Sequence, residues 1–446
     1  MASTYLSRVN GTATSAYKWT WSGWVKRAKL GTRQMFFIAV NPASAANYAY
    51  IEFDGANDNL QYIEYDETTS INGITNAKYR DTSGWYHIVV ATDTTQVTGS
   101  DRIKLYVNGE QVTSFSTHTY GTQNQTTRAN LSGKTQQVGA YGTVSNFYFD
   151  GSMADVYFID GLAYDASTFG SFDSTTGIWK PNTAPTVTYG TNGFNLKFTN
   201  GADAGEDFSG NNNDFATNGT PTQTLDCPSN VFATMNPIIP SSSVTFSNGN
   251  NTLTGSNSAN YDQNNAGTLG VSAGKYYWEV KYATANANTN SSVGIAKLEG
   301  YRSDVNNTAT SGYAVVRFDG QVYVDNVAGS PTYWGSNPVA GDIIMFALDM
   351  DNGKFYLGKN GTWENSGDPT SGSTGTGSIT TSLSGTYTCT MRYLASVFQT
   401  NYGNGFFGTT AVVSAGTNAG VGTFEYDVPA GYYALCTKNI NTQEYS

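Results

Sequence analysis

The sequence predicts an all-β chain: two antiparallel β-sandwiches joined by a partly ordered connector. Three observations predict it. The composition favours short strands and turns over helices: of 446 residues 49 are Gly, only 13% are charged, and 14% are aromatic, including 31 Tyr. No apolar period of helical spacing runs longer than about three turns. One hairpin design occurs twice. Asp101–Val107 places Ile103, Leu105 and Val107 on one face and turns at Asn108-Gly109. Ile343–Leu348 is followed by Asp351-Asn352-Gly353, an alternating Lys354–Leu357 and a second tight turn at Asn360-Gly361. Asn-Gly between strand-like runs is a strong hairpin signal, because both residues tolerate the positive φ that the turn needs. Upstream of each hairpin lies a Trp-bearing strand, Trp19–Lys26 and Tyr276–Lys281.

Residues 1–171 make the first sandwich. The polar stretch 1–18 reads as an arm or edge strand. The runs WTWSGWVKR and MFFIAV between Trp19 and Val40 read as paired strands, and Ala49–Phe53 pairs with Leu60–Tyr65 across the turn Asp54–Asn59. Trp85–Ala91 leads into the first hairpin, and Gly151–Asp160 offers Met153, Val156 and Phe158 to the core. Ala163–Phe169 is the one stretch suited to a short helix. Residues 172–240 change character. Pro181, Pro185 and abundant Gly, Asn and Asp fit a linker, whereas Trp179, Phe194, Leu196, Phe198 and Phe232 predict a connector that packs. Residues 241–446 make the second sandwich. Its strands are Tyr276–Tyr282, Val293–Ala296, Tyr313–Phe318, Val322–Val324, Ile343–Leu348, Lys354–Leu357, Thr386–Met391 and Gly431–Thr437. Ile343–Leu348 reads as buried on both faces and Lys354–Leu357 on one.

A formal net charge of −11 disfavours a phosphate backbone as partner, so no nucleic acid is expected. Cys227, Cys389 and Cys436 are odd in number and match no metal or redox spacing, which predicts buried or unpaired thiols. The N-terminal residues carry no signal-peptide core, and no apolar run approaches the roughly 20 residues of a bilayer span. Membrane insertion is not expected.

The opening WTWSGWVKR, the strand WYHIVV, the hairpin DRIKLYVNG and the closing DGSMADVYFIDGLAYDASTFG together resemble the laminin-G-like, concanavalin-A-type sandwich over residues 18–170. The later order YYWEVKY, VGIAKLEGY, GYAVVRFDGQVYVDN, GDIIMFALDMDNGKFYLGKNGTW and FQTNYGNGFF resembles the SPRY domain, a relative of the same sandwich. The run NGTWENSGDPTSGSTGTGSI, the ending VPAGYYALCTKNI and a GIWKP connector containing EDFSGNNNDF make the whole chain similar to bacteriophage tail-fibre and particle-surface proteins. That resemblance implies two concanavalin-A-like sandwiches and a non-enzymatic adhesion protein of the virion, assembled in the host cytoplasm and released by lysis. It implies other virion proteins and a host-surface glycan or receptor as partners, and a homo-oligomer, a trimer by analogy. A capsid fibre, knob or tail structural protein is the competing reading, and a glycan-degrading enzyme a third.

The residues themselves carry little chemistry. A glycoside hydrolase on such a sandwich needs paired carboxylates about 5–10 Å apart. Glu52-Phe53-Asp54-Gly55-Ala56-Asn57 supplies two acids and then breaks the pattern, and Glu64-Tyr65-Asp66-Glu67 fails the spacing. Of the two histidines, His87 reads as an outward or rim side chain, and His118 has no metal-ligating neighbours. The oxygen-rich loop of Asp54, Asp58 and Asn59 is the candidate calcium site, since hard oxygen ligands at a loop rim suit that ion; ordinary turn chemistry explains the same residues. No other cofactor is expected. Aromatic and polar residues at predicted loops of the second sandwich are the candidate ligand-binding set: Tyr301, Arg302, Asp319, Tyr333, Trp334 and Trp363.

Overall fold

The computed structural model describes residues 4–41, 44–141, 147–239, 244–256, 264–285, 291–299, 301, 312–325, 327–330, 332–380, 382–414, 416–418 and 420–444. The chain is nearly all-β and almost entirely antiparallel, and it divides into Met1–Gln223 and Thr224–Ser446.

The first unit carries β1 (Tyr5–Val9), β2 (Lys18–Arg27), β3 (Gln34–Asn41), β4 (Ser44–Phe53), β5 (Asn59–Asp66), β6 (Thr68–Lys78), β7 (Tyr86–Asp93), β8 (Ile103–Val107), β9 (Glu110–Gln111), β10 (Phe115–Thr119), β11 (Thr135–Val138), β12 (Gly151–Asp160), β13 (Gly170–Phe172), β14 (Trp179–Pro181), β15 (Phe194–Leu196) and β16 (Ala216–Asn218). An eight-stranded sheet runs β10-β6-β5-β4-β3-β11-β1-β16, and a six-stranded sheet runs β15-β12-β2-β7-β8-β9. Between them lie Trp19, Trp21, Phe36, Phe37, Ile51, Phe53, Leu60, Tyr62, Ile88, Val90, Leu105 and Phe158. This is the inner set that alternation in each strand predicts. The Asn108-Gly109 turn closes β8 on β9 with both residues at positive φ.

The second unit carries β17 (Val244–Ser247), β18 (Thr252–Gly255), β19 (Asn264–Ala266), β20 (Lys275–Thr284), β21 (Ser292–Lys297), β22 (Tyr313–Arg317), β23 (Val322–Val324), β24 (Val327–Ala328), β25 (Ile343–Asp349), β26 (Lys354–Lys359), β27 (Thr362–Trp363), β28 (Tyr387–Arg392), β29 (Val397–Asn401), β30 (Phe406–Phe407), β31 (Thr410–Ala411) and β32 (Tyr433–Ala434). One sheet runs β17-β18-β29-β20-β25-β26-β27 with β32 added on β20; the other runs β19-β28-β21-β22-β23-β24. Trp278, Phe346, Leu348, Phe355 and Leu357 meet Val293, Ile295, Val316, Cys389 and Met391 in its core. The β25–β26 hairpin turns at Asp351-Asn352-Gly353, and Asn360-Gly361 turns β26 into β27.

Several elements differ from expectation. The segment 1–18 is no edge: β1 is flanked on both sides, by β11 and by β16 from the connector. The stretch 172–240 divides. Its part up to Gln223 supplies β15 and β16 to the first unit, and Phe232 bridges to Cys436 in the second. The motif EDFSGNNNDF is a tight loop centred on the Asp207 carboxylate, which accepts from the amides of Asn195, Ser209 and Asn213. Ala163–Phe169 yields only a 3-10 turn at Ala166–Thr168, whereas Thr437–Glu444 forms an α-helix, α1, where a strand end was expected. β26 is buried on both faces, because Tyr356 lies among Phe424, Tyr432 and Ala434 of the closing segment. His87 is fully buried. It stacks on Trp24 at 4.7 Å between ring centroids and accepts at Nδ1 from the Trp179 indole, 3.0 Å away. The strap Leu162–Tyr189, far along the chain, covers what the strand alone left open.

Candidate functional site

β4 reads Asn47-Tyr48-Ala49-Tyr50-Ile51-Glu52-Phe53. Ala49, Ile51 and Phe53 enter the core, so alternation sets Tyr48, Tyr50 and Glu52 on the outer face of the larger sheet. Register supplies their neighbours. Tyr48 pairs with Val40 and Tyr65, Tyr50 with Ile38 and Ile63, and Glu52 with Met35 and Gln61. Further out, Ile63 and Gln61 meet Asn72 and Ile74, which pair with Thr119 and Thr117. The Tyr48 ring stacks on Tyr65 at 5.2 Å and on Tyr50 at 5.6 Å. Tyr141 and Phe147 lean on one end of this cluster. Tyr48, Gln61, Ile63, Tyr65 and Asn72 remain half-buried, and Thr117 and Thr119 exposed.

On the opposite sheet of the same unit the outer face is covered. Phe169, Trp179, Val187 and Tyr189 pack over its outer face on Val89, Tyr157 and Ile159. In the second unit Phe232, Phe424 and Tyr432 similarly cover Tyr277, Met345 and Ala347.

Glu52 anchors the aromatic face at its polar end. Arg33 Nε lies 3.0 Å from each of its oxygens, and the guanidinium sits 5.4 Å from the Tyr50 ring centroid and 4.3 Å from that of Phe147. Burial pushes the Glu52 carboxyl up to about 7 against the pull of Arg33, and Asp54 adds to the rise. Burial also raises the Tyr48 and Tyr50 phenols. The face therefore offers neutral rings, hydroxyls and carboxamides beside one internally compensated ion pair. Such groups stack against apolar patches and exchange hydrogen bonds with hydroxyls. Asp54, the next acid on the strand, caps its own turn by accepting from the Ala56 and Asn57 amides.

The loop read as a calcium site has other duties. Asp58 accepts from Arg27 Nη2 at 2.9 Å, from the Gly31 amide at 3.0 Å and from Arg80 Nε at 3.0 Å. Burial pushes its carboxyl up, but the Gly31 amide and the two guanidinium groups outweigh this and hold it below its ordinary value. Asn59 donates its carboxamide to the Thr75 and Ala77 carbonyls. The positive charge at this loop is that of Arg27 and Arg80. Among the described residues no cluster of three or more His, Cys, Asp or Glu is placed to hold a metal ion.

Of the loop residues of the second sandwich, Asp319, Tyr333 and Trp334 lie near one another, whereas Tyr301 and Trp363 lie on different sheets. Tyr333 and Trp334, 6% and 5% exposed, are core residues. The Tyr333 hydroxyl donates to the Leu357 carbonyl, and the Trp334 indole donates to the Arg317 carbonyl. A loop position in sequence does not prevent a large ring from folding inward to fill the end of a sandwich. Asp319 pairs with Arg317 at 2.6 Å. Tyr301 packs on Tyr313 over the outer face of the β21–β22 sheet. Trp363 stands edge-on to Tyr277 at 6.4 Å on the other sheet. Arg302 lies outside the described residues. Tyr48, Tyr50 and Tyr65 were missed. Their signal is a strand whose two faces are both apolar or aromatic, with Tyr and Glu alternating against Ala, Ile and Phe.

Residues 2–165 match Laminin_G_3, the concanavalin A-like lectin/glucanases superfamily. No curated protein matches the chain. Similar solved structures include the SPRY domain of human HERC1, at 22% identity, covering 37% of this chain and 96% of that one with a TM-score of 0.29. A heptameric SAP-like pentraxin from Limulus polyphemus is similar at 14% identity, 41% and 86% coverage and a TM-score of 0.29. A putative carbohydrate binding protein from Bacteroides ovatus is similar at 13% identity, 48% and 56% coverage and a TM-score of 0.33. The matched stretch contains the whole tyrosine face, so a concanavalin-like lectin/glucanase fold carries the candidate site.

Proposed function

We propose that this chain is a non-enzymatic adhesion protein that binds carbohydrate on the outer face of β3, β4, β5 and β6. One observation carries the reading. Tyr48 and Tyr65 stand half-buried beside Gln61, Asn72, Thr117 and Thr119 on a face that the chain leaves partly open. The match of the same stretch to a lectin/glucanase superfamily supports it. The motif order along the chain supports a finer assignment: a tail fibre or receptor-binding component at a bacteriophage surface. Its partners would be other virion proteins and a host-surface glycan, and its working form a homo-oligomer.

Hydrolysis is the second reading, because a carboxyl raised toward 7 is what a general acid needs. The Arg33 contacts to both Glu52 oxygens speak against it, as does the diversion of Asp54 to its own turn. The test is a glycan array probed with the purified chain, followed by incubation of each bound polysaccharide. Binding without new reducing ends supports adhesion. Release of reducing ends that is lost in Glu52→Gln would establish the enzyme instead.

A further inference from the structure

Beside the tyrosine face, but pointing into the sandwich, three side chains form a separate cluster. Lys134 precedes β11, Asn47 lies in β4, and Asp66 ends β5. Thr135 pairs with Val40 and Val40 with Tyr48, so Lys134 and Asn47, each one residue earlier, share the inner face. Asn47 pairs directly with Asp66.

Lys134 is only 5% exposed, although its side chain ends in an ammonium. A buried lysine normally finds a carboxylate. Here Nζ meets the Asn47 side-chain Oδ1 and, at 3.3 Å, the Asn47 carbonyl. Among the described residues no carboxylate is in ion-pair contact with it. The other end of the same carboxamide, Asn47 Nδ2, donates to Asp66 Oδ1 at 2.6 Å, and Arg128 holds the second Asp66 oxygen. A donor beside Oδ1 and an acceptor beside Nδ2 fix the orientation of the amide. The arrangement is an amine against a carboxamide whose leaving nitrogen is already bound to a carboxylate.

We propose that Lys134 and Asn47 condense to an intramolecular isopeptide bond, with Asp66 holding the departing nitrogen. The neutral Lys134 amine attacks Asn47 Cγ. In the tetrahedral adduct that forms with the Nζ–Cγ bond, a proton passes from Nζ to Nδ2, which Asp66 Oδ1 holds. The Cγ–Nδ2 bond then breaks and ammonia leaves. One amide replaces another, no electrons are gained or lost, and the mass falls by one ammonia. The neutral amine is accessible: burial lowers the Lys134 ammonium to about 8, with Arg128 adding to the fall and Glu64 opposing it. The bond would tie β4 to the start of β11 across β3, closing a loop between positions 87 residues apart. In an adhesion protein it would let the first unit resist pulling and proteolysis after one irreversible step.

Intact-mass spectrometry of the purified full chain tests this directly. The expected mass is the sequence mass less one ammonia, and peptide mapping yields a branched peptide joining Lys134 to Asn47. Lys134→Arg and Asn47→Ala return to the full mass calculated for each variant. Asp66→Asn, shown to be folded by circular dichroism, retains the full mass or loses ammonia many-fold more slowly. A folded wild-type chain at full sequence mass, with positions 47 and 134 in separate peptides, overturns the proposal. Loss of ammonia without the branched peptide, as succinimide formation at an Asn-Gly would give, overturns it too. Crosslinking at wild-type rate in Asp66→Asn overturns the role given to Asp66.

Discussion

His87 allows the sharpest calculation. It is a neutral imidazole sealed beneath Trp24 and Trp179; Nδ1 accepts from the Trp179 indole, so Nε2 carries the proton and donates to Ser22 Oγ at 2.9 Å. Burial lowers its pKa from 6.5 to about 3. A base depressed in the native state is protonated first in the unfolded chain, so stability falls as pH falls through the window between those values. At a limiting slope of about 1.4 kcal/mol per pH unit, acidification from pH 6.5 to pH 4.5 removes roughly 2.3 kcal/mol through this group. Glu52 and Glu64 act in the opposite sense, since burial raises both to about 7 and the native state then holds the extra protons. The perturbation is therefore His87→Gln, whose amide can meet the same two partners without titrating. The variant is expected to be about 1–3 kcal/mol less stable than wild type near pH 7.5. The difference should shrink by about 2–3 kcal/mol near pH 4.5 in urea denaturation. Histidine-selective NMR gives a second readout, because only two histidine signals exist. The His87 signal should stay in its Nε2–H tautomer throughout that range. A midpoint near 6.5 for His87, or a stability difference that does not change with pH, would refute the reasoning.

Other outcomes follow from the same packing. Gly109 has φ +85°, and a Cβ there would lie 2.4 Å from the Trp179 ring, so Gly109→Ala should cost about 1–3 kcal/mol in thermal unfolding. Asp58→Asn removes the carboxylate from the fully buried Arg27 and should cost about 3–5 kcal/mol, read by denaturant titration. Because the Asp58 oxygens already serve Arg27, Arg80 and Gly31, millimolar calcium should leave the wild-type melting temperature unchanged. Glu279 accepts from the Glu425 and Tyr426 amides, the Tyr277 hydroxyl and the Asn401 carboxamide. Glu279→Ala should cost about 2–4 kcal/mol and speed hydrogen exchange at 423–427 while leaving residues 4–223 unchanged.

What the sequence made legible, and what it hid, follows from the range of the forces involved. Asn108-Gly109 and Asn360-Gly361 announce their turns locally, because positive φ is a property of one or two residues. Alternation in β2 and β8 likewise names the inner faces. Alternation does not say whether an outer face is covered, because the cover comes from elsewhere. Trp179 reaches His87 from 92 residues away. Phe424 and Tyr432 close over Tyr277 and Tyr356 from the end of the chain. The loop aromatics Tyr333 and Trp334 were misplaced for the same reason: a ring beside a turn can fold either way, and here each found a backbone partner inside. The tyrosine face is silent in the sequence because Tyr in a strand reads as packing, and only register shows that Tyr48 and Tyr65 meet across strands on the open side.

The central claim is that the outer face of the larger sheet in the first unit holds sugar. Titration calorimetry of the full chain with an array-positive oligosaccharide tests it most directly, comparing wild type with Tyr48→Ala/Tyr65→Ala. The account predicts heat of binding for wild type and at least a tenfold weaker affinity, about 1.4 kcal/mol or more, for a double variant with an unchanged circular dichroism spectrum. Equal affinity in the two proteins would contradict it and place the ligand elsewhere.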